Sequence, residues 1–163
     1  LPPRIRKFQP ADLTRIQDIA AAAWQPVFRS SEELLGTDLF NLVSPDPEAA
    51  KRWQVATACE PDSGTKVWVV VDDGDEIVGF ITADLNRKTL VGEIRNNAID
   101  PDRQSGGLGV LMYDFVLERM KEAGMKAVKV ETGADEAHAP ARRAYEKAGF
   151  ERSIPSAMYY RAI

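Results

Sequence analysis

Gln104-Ser105-Gly106-Gly107-Leu108-Gly109, running directly into the apolar residues Val110-Leu111-Met112, decides how this chain is read. Three of the four residues from Gly106 to Gly109 are glycine, so the loop wraps tightly and no Cβ shields its amide N–H groups. A helix beginning immediately behind it presents unpaired N–H groups and the positive end of its dipole. Together these make a seat for a diphosphate-like anion held by main-chain donors. Rival phosphate loops fit poorly. No G-K-[ST] follows, and Met112 stands where the third Gly or Ala of a dinucleotide fingerprint belongs.

Working outward, Thr89 to Ile99 reads as a strand that reaches the loop through Asp100-Pro101. Behind the loop, Leu108, Leu111, Met112, Phe115 and Met120 form one helical stripe, with Lys121 in the last turn and Gly124 past the end. Ala127 to Val130 is the next strand. A second helix carries Pro140 in its first turn and Gly149 beyond its last, and Ser156 to Arg161 reads as a closing strand. Upstream, Lys66–Val71 and Glu76–Leu85 are strands joined by the turn Asp73-Gly74-Asp75, which completes a β-meander with Thr89–Ile99. Ile5 to Phe8 is a short first strand, and a helix follows from Pro10-Ala11 with Asp12 as its N-cap. From Trp24 to Pro47 four Pro and Gly residues interrupt the apolar pattern, which predicts short helices and loops, then a helix over 48–58. The order predicts one α/β domain over 1–163, of the α+β layered kind, with a mixed, mostly antiparallel sheet flanked by helices.

Bulk properties narrow the function. A chain of 163 residues with 44% hydrophobic and 28% charged residues is an ordinary globular composition. A net charge of −4 argues against nucleic acid as a partner. No apolar run approaches the roughly 18–20 residues that span a bilayer, so no membrane partner is expected. One Cys and one His make a metal site unexpected, and a lone Cys59 fits a reducing, cytoplasmic location. The sequence opens on Leu1 rather than Met.

Strand, Q-x-x-G-x-G, helix, strand and then Ala141-Arg142-Arg143-Ala144-Tyr145-Glu146-Lys147-Ala148-Gly149-Phe150 is a combination with a known counterpart. It resembles the GNAT superfamily of acetyl-coenzyme A-dependent N-acetyltransferases. The motif-bearing part runs from about Glu93 to Phe150, and Ile5 to Ile16 looks like the family's first strand and helix. The resemblance implies a GNAT-type acyl-CoA N-acyltransferase fold and acetyl-coenzyme A as co-substrate. It implies that Gln104, Ser105, Gly106, Gly107, Leu108, Gly109 and Val110 cradle the pyrophosphate. The pantetheine arm would pair with backbone of Asn97, Ala98 and Ile99.

Each site has an ordinary reading beside the functional one. Tyr145 shares a stripe with Ala141, Ala144 and Ala148 and by periodicity is a core aromatic; the resemblance makes it the donor to the departing sulfur, and a contact of the coenzyme. A thiolate of pKa about 8.5 leaves fairly well unaided, so a phenol of pKa about 10 is a helpful donor rather than a requirement. Glu93 is a solvated strand residue or, where E-I-x-x-x-A-I matches some family members, the catalytic base. An amine of pKa about 10.4 needs one, because deprotonation at pH 7 costs roughly 4–5 kcal/mol. His138 stands where the family often has an Asn on the coenzyme arm; it hydrogen-bonds the arm or merely begins a helix. Cys59 reads as a structural thiol. Arg103, Arg142 and Arg143 are surface cations or phosphate contacts.

The expected function is transfer of an acetyl group from acetyl-coenzyme A to a primary amine by direct attack, with a backbone N–H near Ile99 as oxyanion donor. The acceptor is an amine-bearing small molecule, peptide or protein, bound largely by residues 24–47. A homodimer is a further expected partner. The alternatives are a non-catalytic coenzyme A-binding sensor or interaction module of the same fold, and a Rossmann-type nucleotide enzyme.

Overall fold

The β-branched run Lys-Val-Trp-Val-Val-Val at 66–71 forms an interior strand of the sheet, and both of its faces are covered. The computed structural model describes residues 2–104 and 106–163. In it, Trp68 and Val70 join one apolar cluster while Val69 and Val71 join another on the opposite face. The period of two is present but masked in the sequence by apolar residues on both sides.

Five strands lie in the order β1 (Arg4–Lys7), β2 (Lys66–Val71), β3 (Ile77–Asn86), β4 (Val91–Ile99) and β5 (Ala127–Val130). The first four pair antiparallel and β5 runs parallel to β4. Helices α1 (Leu13–Leu35) and α3 (Pro47–Ala58) cover one face, where Ile16, Ile19, Ala20 and Val55 pack on Val69, Val71, Phe80 and Ala98. Helices α4 (Leu108–Glu122) and α5 (Ala139–Lys147) cover the other, where Met112, Val116, Met120 and Tyr145 meet Trp68, Ile81 and Ile94. The mixed, mostly antiparallel sheet between helices is therefore as expected.

Four local expectations need correction. Helix α1 runs unbroken to Leu35, with Pro26 inside it, where short helices and loops were expected. Proline removes one ladder bond, yet the buried face of Ile16, Ile19 and Ala20 holds the helix to the sheet; only then does Thr37–Val43 follow as the short α2. Asp12 is not a side-chain N-cap. It closes the turn Pro10–Asp12 by accepting from Gln9 N at 2.7 Å, and Arg6 binds it at 2.7 and 3.0 Å. The buried stripe of α4 includes Tyr113 and Val116, whereas Leu111 faces outward. Finally, Ser156 to Arg161 forms no strand: 151–163 is exposed and outside the sheet. Its alternation supplies strand propensity, but a strand needs an edge to pair with.

Candidate active site

The site begins at an irregularity in β4. Ile81 pairs with Asn97 and Ala83 with Ile94, so Thr82 alone faces both Arg95 and Asn96. This β-bulge is held by the buried Thr82 hydroxyl, which donates to the Asn96 carbonyl at 2.9 Å. The same point ends the pairing with β5, whose last registered pair is Ile94–Val130. Beyond it the two parallel strands part. Asn97, Ala98 and Ile99 stay bonded to β3 while their β5 side faces a cleft of about 1120 Å³.

Main-chain geometry carries the far end of that cleft. Gly107, at φ 76°, is the N-cap of α4, and no side chain caps the helix. The first ladder bond is Leu111 N to Gly107 O at 3.0 Å, so the amides of Leu108, Gly109 and Val110 precede the ladder. A Cβ built on Gly109, within the helix, meets no protein atom within 4 Å. Tight internal packing is therefore not why glycine stands there; the open space suits a group brought close to the helix start. Gly106, at φ 84°, and Gly107 occupy left-handed conformations that glycine favours. Gln104 reaches back to the Ile99 carbonyl at 3.5 Å. Gly107, Leu108, Gly109 and Val110 border a second crevice of about 700 Å³ with Arg143. Ser105 lies outside the described residues.

The loop is braced from behind. Asp100 caps the turn that follows β4, accepting from Asp102 N at 3.0 Å, and Arg15 of α1 reaches its other oxygen at 2.5 Å. Arg103 pairs with the buried Asp72, and Arg142 donates to the carbonyls of Gly133 and Asp135 at 2.7 Å. These two arginines are structural braces in this fold.

Across the cleft, Tyr145 of α5 is only 7% exposed. Its hydroxyl accepts from Asn97 Nδ2 at 3.1 Å. Asn97 is oriented in turn by Tyr113, whose hydroxyl donates to Asn97 Oδ1 at 2.8 Å. Burial, reinforced by the neighbouring Tyr145, pushes the Tyr113 phenol well above its usual range, so it remains a donor. The hydroxyl of Tyr145 thus serves as acceptor to Asn97, with the Tyr113 hydroxyl close by. Sequence reasoning missed Tyr113; only its place five residues behind Leu108 on the buried face offered a signal.

Glu93 also lines the cleft. Its carboxylate is 23% exposed and lies 3.2 Å from Arg95 and 3.4 Å from Lys129. It is thus a paired carboxylate rather than one buried among apolar groups. His138 lines the same cleft with Nδ1 turned to Asp135, whose other oxygen takes the Ser30 hydroxyl at 2.5 Å. Cys59 ends α3, half-buried, where desolvation raises its thiol to about 11 and so disfavours the nucleophilic thiolate. Among the described residues no group of three His, Cys, Asp or Glu is arranged to hold a metal, and no helix is long and apolar enough to cross a membrane.

The acetyltransferase (GNAT) family profile matches residues 27–150, which include the bulge, the loop and Tyr145. The chain belongs to the GNAT family. Known relatives are acetyltransferases by name. A mycothiol acetyltransferase of Actinosynnema mirum is 32% identical over 84 residues, 52% of this chain and 27% of the relative. The chain spans about a quarter of the length of the curated relatives it matches. Among solved structures, a GNAT-family acetyltransferase from Desulfovibrio desulfuricans superposes with a TM-score of 0.70 at 21% identity, covering 93% of this chain and 87% of that one. The acetyltransferase AAC(6')-Iy, solved with a coenzyme A-linked bisubstrate analogue, superposes with a TM-score of 0.67 at 13% identity over 99% of both chains. At these identities the structures speak for the GNAT fold alone.

Proposed function

We propose that residues 1–163 act as one N-acetyltransferase domain that moves an acetyl group from acetyl-coenzyme A to a primary amine by direct attack. The observation that carries this reading is the Tyr113–Asn97–Tyr145 chain. By donating to Tyr145, Asn97 leaves the tyrosine's own proton to point into the cleft where β4 leaves β5. The loop amides and the open space at Gly109 suit the pyrophosphate. The unpaired side of Asn97–Ile99 suits the amides of the pantetheine arm, and a backbone N–H near Ile99 suits the developing oxyanion.

The chemistry follows from those positions. The amine loses a proton to Glu93, directly or through water. Its nitrogen then bonds the acetyl carbon as the carbon–sulfur bond breaks; Tyr145 gives its proton to the departing sulfur, and the second N–H proton of the nitrogen leaves through water and restores the phenol. His138, on the cleft wall, contacts the coenzyme arm. The acceptor is a small amine, a peptide or a protein. A second copy of the chain is a further partner, favoured by the exposed apolar side chains of segment 151–163 and by the open edge at β5.

Coenzyme A release from acetyl-coenzyme A, measured over an amine panel, tests the reading; binding without thiol release would leave a binding module. Tyr145→Phe is expected to lower kcat about a hundredfold, the modest end of general-acid contributions, with coenzyme affinity nearly unchanged. Glu93→Gln is expected to depress the rate most at low pH; an unchanged pH–rate profile would assign the proton to another group.

A further inference from the structure

Opposite the coenzyme side, the cleft is walled by α1 and α3, and one cation there has no counter-charge. Lys51 of α3 reaches in with Nζ 2.9 Å from Gln54 Oε1, 3.0 Å from Asn96 Oδ1 and 4.1 Å from the centre of the Trp24 ring. All three partners are neutral. Among the described residues no carboxylate lies within ion-pair distance of Lys51; of the acids that line the cleft, Glu93 and Asp84 are matched by Arg95 and Lys129, and Glu131, just past the end of β5, has no cation at that distance. A half-buried ammonium with neutral partners is poorly compensated, and a bound anion relieves that cost.

Its placement ties it to the acceptor. Asn96 and Asn97 are consecutive in β4 and so face opposite sides of the sheet, the first holding Lys51 and the second Tyr145, and one cleft, opening where β4 leaves β5, is lined by all four residues. A ligand at the bulge therefore meets the ammonium at one end and the reacting centre at the other. We propose that Lys51 is the anion-recognition group of the acceptor pocket, so that the amine accepted by this protein also carries a carboxylate or phosphate. The inference rests on the acetyl-transfer reading above. Desolvation lowers Lys51 to about 8, as expected for an ammonium awaiting its anion. At neutral pH it is still mainly charged and able to bind one.

Paired acceptors test this: glycine against glycinamide, L-phenylalanine against its amide, and glucosamine 6-phosphate against glucosamine. Coenzyme A release is followed for the wild type, Lys51→Gln and Lys51→Arg. Amidation also changes the basicity of the amine, so the comparison is each pair's kcat/KM ratio in wild type relative to Lys51→Gln. The anionic member is expected to gain at least tenfold in that comparison, mainly through KM, with the gain kept in Lys51→Arg. The carboxylate and phosphate arms show which anion is preferred.

Calorimetry supplies a readout without turnover. N-acetyl-L-phenylalanine, but not its amide, is expected to bind the coenzyme A-loaded protein through Lys51. Turnover with no anion preference, or equal preference in Lys51→Gln, overturns the inference and leaves acetyl transfer standing. Anion binding that depends on Lys51 without thiol release supports the pocket and removes the transfer reading. Failure of every anionic probe both to bind and to react overturns the inference.

Discussion

A methyl group added at Gly109 touches nothing in the protein, so its effect should fall on ligand rather than fold. Gly109→Ala is expected to leave the melting temperature equal or slightly raised, since alanine favours a helix by up to about 1 kcal/mol. The KM for acetyl-coenzyme A should rise about tenfold. A lowered melting temperature with unchanged KM would show the glycine to be structural. Lys51 gives a second test at this scale. Its pKa in the folded chain, about 8, lies below that of an unfolded lysine, about 10.4. The unfolded chain therefore binds more protons between those values, and stability should rise as pH increases from 8 to 10.4. After discount for partial exposure the rise is on the order of 1–2 kcal/mol. Lys51→Met should abolish that rise in chemical denaturation at each pH. The sequence brought Tyr145 and Glu93 forward as candidates because both stand in local patterns, and both line the cleft. Tyr113 and Lys51 were not legible, because each owes its significance to an asparagine of β4 that lies distant in sequence or on another element.

Elements were legible where one segment's own chemistry decides them. The β-branched run of β2, the Asp73-Gly74-Asp75 turn and the Pro–Gly punctuation of α5 are of that kind. They failed where a distant partner decides. Pro26 argued for a break, but the first half of α1 is anchored to the sheet by Ile16, Ile19 and Ala20, and the helix runs on through the proline to Leu35. Ser156 to Arg161 argued for a strand, but no edge receives it. The bulge in β4 belongs to the same class. Nothing in Ile94-Arg95-Asn96-Asn97 announces it, and it exists only as a mismatch with β3 around Thr82. Thr82→Val would keep the shape of that side chain and strand the Asn96 carbonyl. A loss of about 1–3 kcal/mol is expected in denaturant unfolding. A loss of coenzyme affinity larger than that of a comparably destabilised core variant would show that the hydroxyl shapes the cleft.

At the scale of the molecule, two unsatisfied features stand together. The sheet ends at β5, and beyond Phe150 the chain displays Ile154, Met158, Tyr159 and Ile163 to solvent. Open strand edges and apolar strand-forming segments invite pairing between chains. Light scattering should therefore show concentration-dependent dimers, lost when 152–163 is deleted; a monomer at all concentrations in both forms would dismiss the second copy as partner. The parting of β4 from β5 has a different consequence. Only four registered residue pairs join β5 to the rest of the sheet, from Val91–Ala127 to Ile94–Val130. In the proposed reading, the extended amide arm of acetyl-coenzyme A has the dimensions and the donors of a missing strand. Bound there, it would act as a splice between the two halves of the sheet, so that the folded architecture would be completed by a reactant of the proposed transfer.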